Sequence, residues 1–436
     1  MTTPYQQYAV WGHVACGAWS AYLGWRQAVA HCPNRPQTDA TRAARAAFGL
    51  TDDAAFRRTQ EYNQTKFRLG VWRGVFSTAV AAARAGTTAM PALFRATARL
   101  TGAAPGSFWH QLAFDAAADV LETLLAAPWE YYATFVVEER FGFNKTTLRE
   151  FIKDRVKSLL LSVCVLNPAV STLVNFTVRR WGAAFPAYLF GGGSALIVAF
   201  MFLFPVVIQP LFNKFSPLPD GSLRARIEAA ARSLSFPLKR IYTMDGSRRS
   251  AHSNAYMYGF YGSKRVVLFD TLLQQMDEDE VMAVLWHEFG HWHHSHTLAF
   301  FGCSLAQVAA LCYGARAVMF DPAVYRAFGF PPPESAGGAS PPAVGFMCYS
   351  HFLAPLMMGL SMGLSAVSRR FEFQADRFAV ARTDDRGASM KRALAKLQKE
   401  NLGSVTPDWL YAACHYSHPP LPERLAAIDA EMKKEA

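Results

Sequence analysis

The stretch VLWHEFGHWHHSHTLAFFGCSLAQVAALCYGA, residues 284–315, joins two kinds of sequence that seldom meet. Its first thirteen residues hold five of the chain's twelve histidines and one acid, Glu288, while Thr297 to Ala315 carry no charge at all. A helix needs ~20 apolar residues to cross a bilayer, so a histidine cluster stands at a membrane boundary. The whole composition agrees. Of 436 residues 51% are hydrophobic and 18% charged, below the ~25% charge of soluble domains.

Working outward, residues 181–213 form the strongest span, uncharged throughout and containing LFGGGSALIVAFMFLFPVVI. Residues 158–176, with Pro168 as a kink, 297–315 and 344–368 make three more. Ala9 to Trp25 lacks the basic start of a secretory signal and reads as a retained first span. Two poorer candidates, about 70–94 and 108–136, contain charges and bring the count to seven. Lys and Arg concentrate in 26–68, 137–157, 214–296 and 369–436, whereas the alternate loops hold only Arg95 and Arg99, Arg179 and Arg180, and Arg316 and Arg326. That alternation places the N-terminus in the lumen and the C-terminus in the cytosol. It also accounts for the net charge of +11 without nucleic acid. The expected fold class is a mainly α, polytopic membrane protein of seven transmembrane helices, with a cytosolic domain carrying a small β-hairpin. Its parts are a five-span region (1–213), the cytosolic segment that ends in the histidine cluster (214–296), a two-span hairpin (297–368) and the remaining cytosolic segment (369–436).

Asp115, Asp119 and Glu122 fall at i, i+4 and i+7, one helical face. They belong either to an amphipathic surface helix or to a span facing a water-filled chamber, because carboxylates against lipid are costly. The seven cysteines form no CxxC and read as small core residues without a disulfide framework.

In HEFGH, His287 and His291 share a helix face with Glu288 one step round, the arrangement that holds Zn²⁺ on two imidazoles beside a glutamate general base. Asp277 and Glu280 form a capping box for that helix. A third ligand is required, and Glu372 in SRRFEFQAD is the best candidate. Two spans separate it from His291, so the chain returns to the face it left. Asp376, one turn beyond, is placed to orient a ligand imidazole. His293, His294 and His296 fit a polar rim better than a ligand set.

With these residues assembled, the sequence resembles the type I CAAX prenyl endopeptidases, integral-membrane zinc proteases of the endoplasmic reticulum and inner nuclear membrane. AYLGWRQ (21–27), FVVEERFGFNKTT (135–147), PLFNKFSPLPDGSL (210–223), SAHSNAYMYGFYGSKRVVLFDTLL (250–273), HEFGHW (287–292), SRRFEFQAD (368–376) and HPPLPERL (418–425) carry the likeness. It departs from the family in the small-residue second and third spans and in the extra histidines. The resemblance implies a seven-helix barrel around a hydrophilic chamber, one zinc ion, and release of a C-terminal tripeptide after a prenylated cysteine, with a second upstream cut in some members. It implies that His418 stabilises the oxyanion, although a packed histidine before a Pro-Pro turn stands beside that reading. SNAYMYGF and RVVLFD form a hairpin around YGSK whose outer strand could pair with an extended substrate. Asn254 would then bond the substrate main chain, or serve simply as a turn residue. Lys433 and Lys434 near the C-terminus match a dilysine retrieval signal or a solvated helix end. Prenylated CAAX proteins and membrane lipid are the expected partners. A quality-control metalloprotease without a prenyl requirement, or a zinc-stabilised membrane chaperone, are the alternatives, the last needing a fourth protein ligand.

Overall fold

The computed structural model describes residues 3–260, 262–334 and 337–434. Seven helical spans make a ring. They are α1 (Pro4–Ala30), α2 (Asp53–Gly86), α3 (Phe108–Tyr132), a rod of α4 (Leu148–Leu161) and α5 (Asn167–Trp181), α6 (Phe185–Leu203), then α8 (His296–Ala315), and the pair α9 (Pro342–Ser350) and α10 (Ala354–Val380). Side chains cap the starts. Thr3 and Gln6 form a capping box on α1, Asp52 accepts from the N–H groups of Ala54 and Ala55, and Ser107 from that of His110.

Proline is absorbed by wider turns. The carbonyl that Pro168 would strike belongs to Cys164, and there the helix opens into a π turn, Ser162–Leu166. A second π turn, Phe204–Ile208, takes up Pro210 in the same way. The expected unbroken span at 344–368 is corrected: the helix breaks between α9 and α10 with a bend of 67°. Pro355 in the first turn of α10 disfavours helical geometry at the residue before it. The span expected at about 70–94 is likewise the second half of α2, which starts at Asp53 and ends at Gly86.

Around the ring α10 packs on α1, α1 along most of α2, α3 on α5, α5 on α6, and α6 on α8. Phe76–Trp129 and the Arg84–Glu122 pair (2.7 Å) join α2 to α3. The most apolar windows of the 148–212 stretch and of α8 are only 6% and 11% buried. Helices so little covered leave most of their surface unpacked against the rest of the chain. By length and apolarity the stretch 148–212, α8 and the α9–α10 pair qualify as spans. Helices α1, α2 and α3, with 27, 34 and 25 residues, have the length but carry more polar side chains.

The other half sits on one end of the ring. Strands β1 (Phe215–Pro217), β2 (Leu238–Met244), β3 (Ala255–Phe260) and β4 (Ser263–Phe269) lie in the order β1-β2-β4-β3, with β2 and β4 parallel and the other pairs antiparallel. The expected hairpin is β3–β4, and β3 is the sheet edge; Tyr261 of its turn lies outside the described residues. Val266 and Leu268 are fully buried against Val281, Leu285 and Phe289 of α7 (Glu278–His293). The Asp277–Glu280 capping box is present in both directions, at 2.9 and 3.1 Å. Helices α11 (Ala388–Glu400), α12 (Trp409–His415) and α13 (Leu421–Lys434) complete this part. The seven cysteines are free, with Cys312, Cys348 and Cys414 buried and Cys164 and Cys303 exposed on spans. Lys433 and Lys434 end α13, and the two residues after them lie outside the described chain.

Candidate active site

Helix α7 crosses α10 at Gly290, where a side chain would meet the backbone of Ala375. This contact brings the ligand-bearing faces together. His287 Nε2 and His291 Nε2 are 3.1 Å apart, and Glu372 oxygens lie 3.4 Å from each. Atoms held ~2.0–2.1 Å from zinc at the tetrahedral angle stand about 3.3 Å from one another. Glu372 Oε2 is buried without a hydrogen-bond partner, an orphan that a cation would satisfy. The surrounding carboxylates are Glu288, Glu372 and Asp376, and Arg424 is the buried guanidinium beside them among the described residues, so acid outnumbers base and the site is net negative with neutral imidazoles. A divalent cation cancels that charge. These residues therefore fit a metal, and the three-ligand group leaves a fourth position open among the described residues.

The electrostatics agree. Burial opposes charge on His287, but the nearby Asp376 and Glu372 outweigh it and push its pKa up to about 9. Burial alone would raise Glu372, yet His287 and His291 bring it well below the ordinary carboxylate range. Glu288, beside the ligands and half-buried, is raised by desolvation.

His287 Nδ1 lies 2.9 Å from Asp376 Oδ1, an ion-pair contact whose angle falls outside hydrogen-bond geometry. Arg424 then grips Asp376 through two bonds of 2.8 and 2.6 Å and approaches Glu372 at 3.7 Å. Sequence reasoning passed over Arg424, although it stands within HPPLPERL. An arginine after a Pro-Pro turn gives no sign of burial until α13 is packed on α10.

His296 was expected at a polar rim, and the structure corrects this. It is 3% exposed, stacked on Phe371 at 4.0 Å and 7°, with Nδ1 2.9 Å from His291 Nδ1 and Nε2 2.8 Å from Gln374 Oε1. If Gln374 Oε1 accepts from Nε2–H, His296 Nδ1 is left to accept from His291 Nδ1–H. His291 Nε2 then keeps its lone pair for a metal. His293 and His294 instead pack beside Phe378.

His418 Nε2 is 3.3 Å from Glu372 Oε1 and its Nδ1 3.0 Å from Ser417 Oγ. Its side chain is 63% exposed although protein surrounds it closely enough to lower its pKa by desolvation, as on the wall of a wet cavity. Asn254 is exposed at the start of β3, which lies beside α7; its Oδ1 accepts from Ala255 N–H at 2.8 Å. Asp115 accepts from Ser171 at 2.7 Å and Asp119 from Ser162 and Asn167 at 2.5 and 3.1 Å, tying α3 to the α4–α5 rod, while Glu122 pairs with Arg84.

Residues 37–214 match the family described as CAAX prenyl protease N-terminal, five membrane helices, and residues 217–432 match peptidase family M48. The chain is 45% identical to a CAAX prenyl protease 1 homolog of Arabidopsis thaliana over 74% of each chain. It is 34% identical to the Homo sapiens homolog over 96% of this chain and 95% of that one. The crystal structure of S. mikatae Ste24p superposes with a TM-score of 0.88 at 31% identity, covering 98% of this chain and all of that one. With the helical ring, the HEFGH helix and the Glu372 helix all inside these matches, the chain belongs to the CAAX prenyl protease branch of peptidase family M48.

Proposed function

We propose that the protein is a zinc endopeptidase that removes the C-terminal tripeptide from prenylated CAAX proteins. The observation that carries this reading is the His287–His291–Glu372 triangle with Glu288 beside it, set at one end of the ring of spans. Zinc on these ligands supplies a Lewis acid and lowers the pKa of a water in the fourth position toward neutrality.

Glu288 accepts the proton of the attacking water and passes it to the leaving amine. A carboxyl raised by burial suits both directions of that transfer. Desolvation keeps His418 neutral; Ser417 Oγ–H donates to its Nδ1, which leaves Nε2–H to donate to the oxyanion. Asp376, backed by Arg424, and His296, backed by Gln374, orient His287 and His291. The free edge of β3 takes the substrate as an added strand, and the exposed Asn254 at its start bonds the substrate backbone. Asp115, Asp119 and Glu122 line the watery chamber. The protein is multi-pass in the endoplasmic reticulum or inner nuclear membrane with a luminal N-terminus and cytosolic C-terminus, the membrane part ending at residue 213, interrupted protease segments at 214–296 and 369–436, and spans between them at 297–368.

The test is tripeptide release from a farnesylated CAAX peptide by the purified full-length protein. Cleavage confined to the prenylated peptide, and lost with a chelator or Glu288→Ala, supports the reading. Equal cleavage of an unprenylated peptide would move the assignment to a quality-control protease.

A further inference from the structure

Below the metal ligands a groove of about 280 Å³ runs between α8 and α10. Phe300, Met357, Leu360 and Leu364 give it apolar walls, and Ser417, the neighbour of His418, stands at its mouth. It occupies a loosely packed seam of the ring. Helix α8 packs mainly on α6, and α10 on α1. The two are bridged by the rings of His296 and Phe300 on Phe371 at one end, and by Gln307 against Met357 Sδ (3.6 Å) farther down.

The groove is continuous with the catalytic site in a definite sense. Ser361, Ser365 and Ser368 line it, and Glu372 follows them at helical spacing, so the metal ligand and the groove share one face of α10. At 1.5 Å rise per residue, Ser368 is about 6 Å along the helix from Glu372, and Met357 about 22 Å. Three serines on that face keep the channel wide where larger side chains would fill it. Its volume falls just under the ~300–1,000 Å³ of small-ligand sites, suited to one narrow chain rather than a two-tailed lipid.

The chemistry of a prenylated CAAX substrate fixes what must lie there. The lipid hangs by a thioether from the cysteine whose own carbonyl is the scissile one. The first isoprene unit is therefore only a few bonds from the attacked carbon, and it needs an apolar path starting beside the ligands and leading into the bilayer. Resting on the prenyl-protease reading above, we propose that the α8–α10 seam is the seat of the substrate's isoprenoid, with the thioether near Ser368 and the distal isoprene against Met357 and Leu360.

The test uses the full-length enzyme in proteoliposomes and a farnesylated CAAX peptide bearing a diazirine on its terminal isoprene. Irradiation is expected to label Met357, Leu360 or Gln307, and excess unlabelled farnesyl peptide should suppress it. Ser365→Trp should lower kcat/KM for the farnesylated peptide at least about tenfold with zinc content unchanged, while Leu298→Trp, exposed on the face of α8 opposite Phe300 and Gln307, keeps wild-type kinetics. Labelling confined to other spans, or wild-type kcat/KM in Ser365→Trp, overturns the groove assignment while leaving the protease reading intact. Labelling of the same residues by a diazirine phospholipid, undiminished by farnesyl peptide, would assign the seam to bulk lipid. If wild-type enzyme cuts prenylated and unprenylated peptides equally, the prenyl-protease reading itself fails, and this inference with it.

Discussion

Replacing Gly290 by alanine tests whether the approach of two helices sets the metal site. A Cβ at Gly290 would stand 3.0 Å from Ala375 Cα, 3.2 Å from the Ala375 carbonyl oxygen and 3.2 Å from Phe378 Cβ. Carbon atoms prefer ~3.5–4.0 Å, and two of these neighbours are helix backbone that cannot rotate aside. Helix α10 must therefore retreat by about 0.5 Å, and overpacking of this kind costs ~1–3 kcal/mol. His287 and His291 ride on α7 and Glu372 on α10, so the retreat widens the 3.4 Å spacings on which the ligand triangle depends. Disturbed ligand support typically weakens metal binding ~10–100-fold, or about 1.4–2.7 kcal/mol. The assay is competition for zinc between the purified protein and a chromophoric chelator, with Gly302→Ala as control because a Cβ there meets nothing within 4 Å. Zinc affinity within twofold of wild type in Gly290→Ala, matching the control, would refute the argument.

Other consequences can be checked separately. His296→Phe keeps the stacking on Phe371 but removes the bond to His291, and Gln374→Leu removes its support. Each should lower zinc affinity about tenfold or more, read by the same competition. Arg424→Met strands the buried Asp376 carboxylate and should destabilise the fold by ~3–5 kcal/mol, seen as a lower thermal midpoint; Arg424→Lys should recover only part, lacking the two-pronged grip. Asp408 is held below its ordinary pKa: burial would raise it, but the bond from Arg26 prevails. A carboxyl depressed by folding contributes stability above about pH 4 that is lost as pH falls through its folded value. Asp408→Asn should thus lower the thermal midpoint at pH 7, with the gap from wild type closing in acid.

The ligand triangle was legible because two simple periodicities meet there. Four-residue spacing aligned His287 with His291, and the return of a two-span hairpin brought Glu372 to the same face. The Asp277–Glu280 cap and the β3–β4 hairpin were equally local signals, and the structure contains both. What stayed hidden depended on tertiary partners. Arg424 and His296 look like surface residues until α13 and Phe371 cover them, and Gln374, although it stands within SRRFEFQAD, has no spacing that singles it out. Helix α2 was mistimed because its polar first half is helical through packing on α1, not through apolarity. The break before Pro355 was masked because apolar residues continue on both sides of it.

The metal ligands also have a mechanical meaning. His291, at the end of α7 just before α8, and Glu372, on α10 beyond its span, are separated in the chain by the whole hairpin of spans from 297 to 368. A cation shared by them is a clasp at one end of the seam between α8 and α10, closing a long loop at the rim of the ring. Its binding energy is then also energy that holds the barrel shut. Removing it unfastens two staves at one end, so a chelated enzyme should lose wall rigidity along with catalysis.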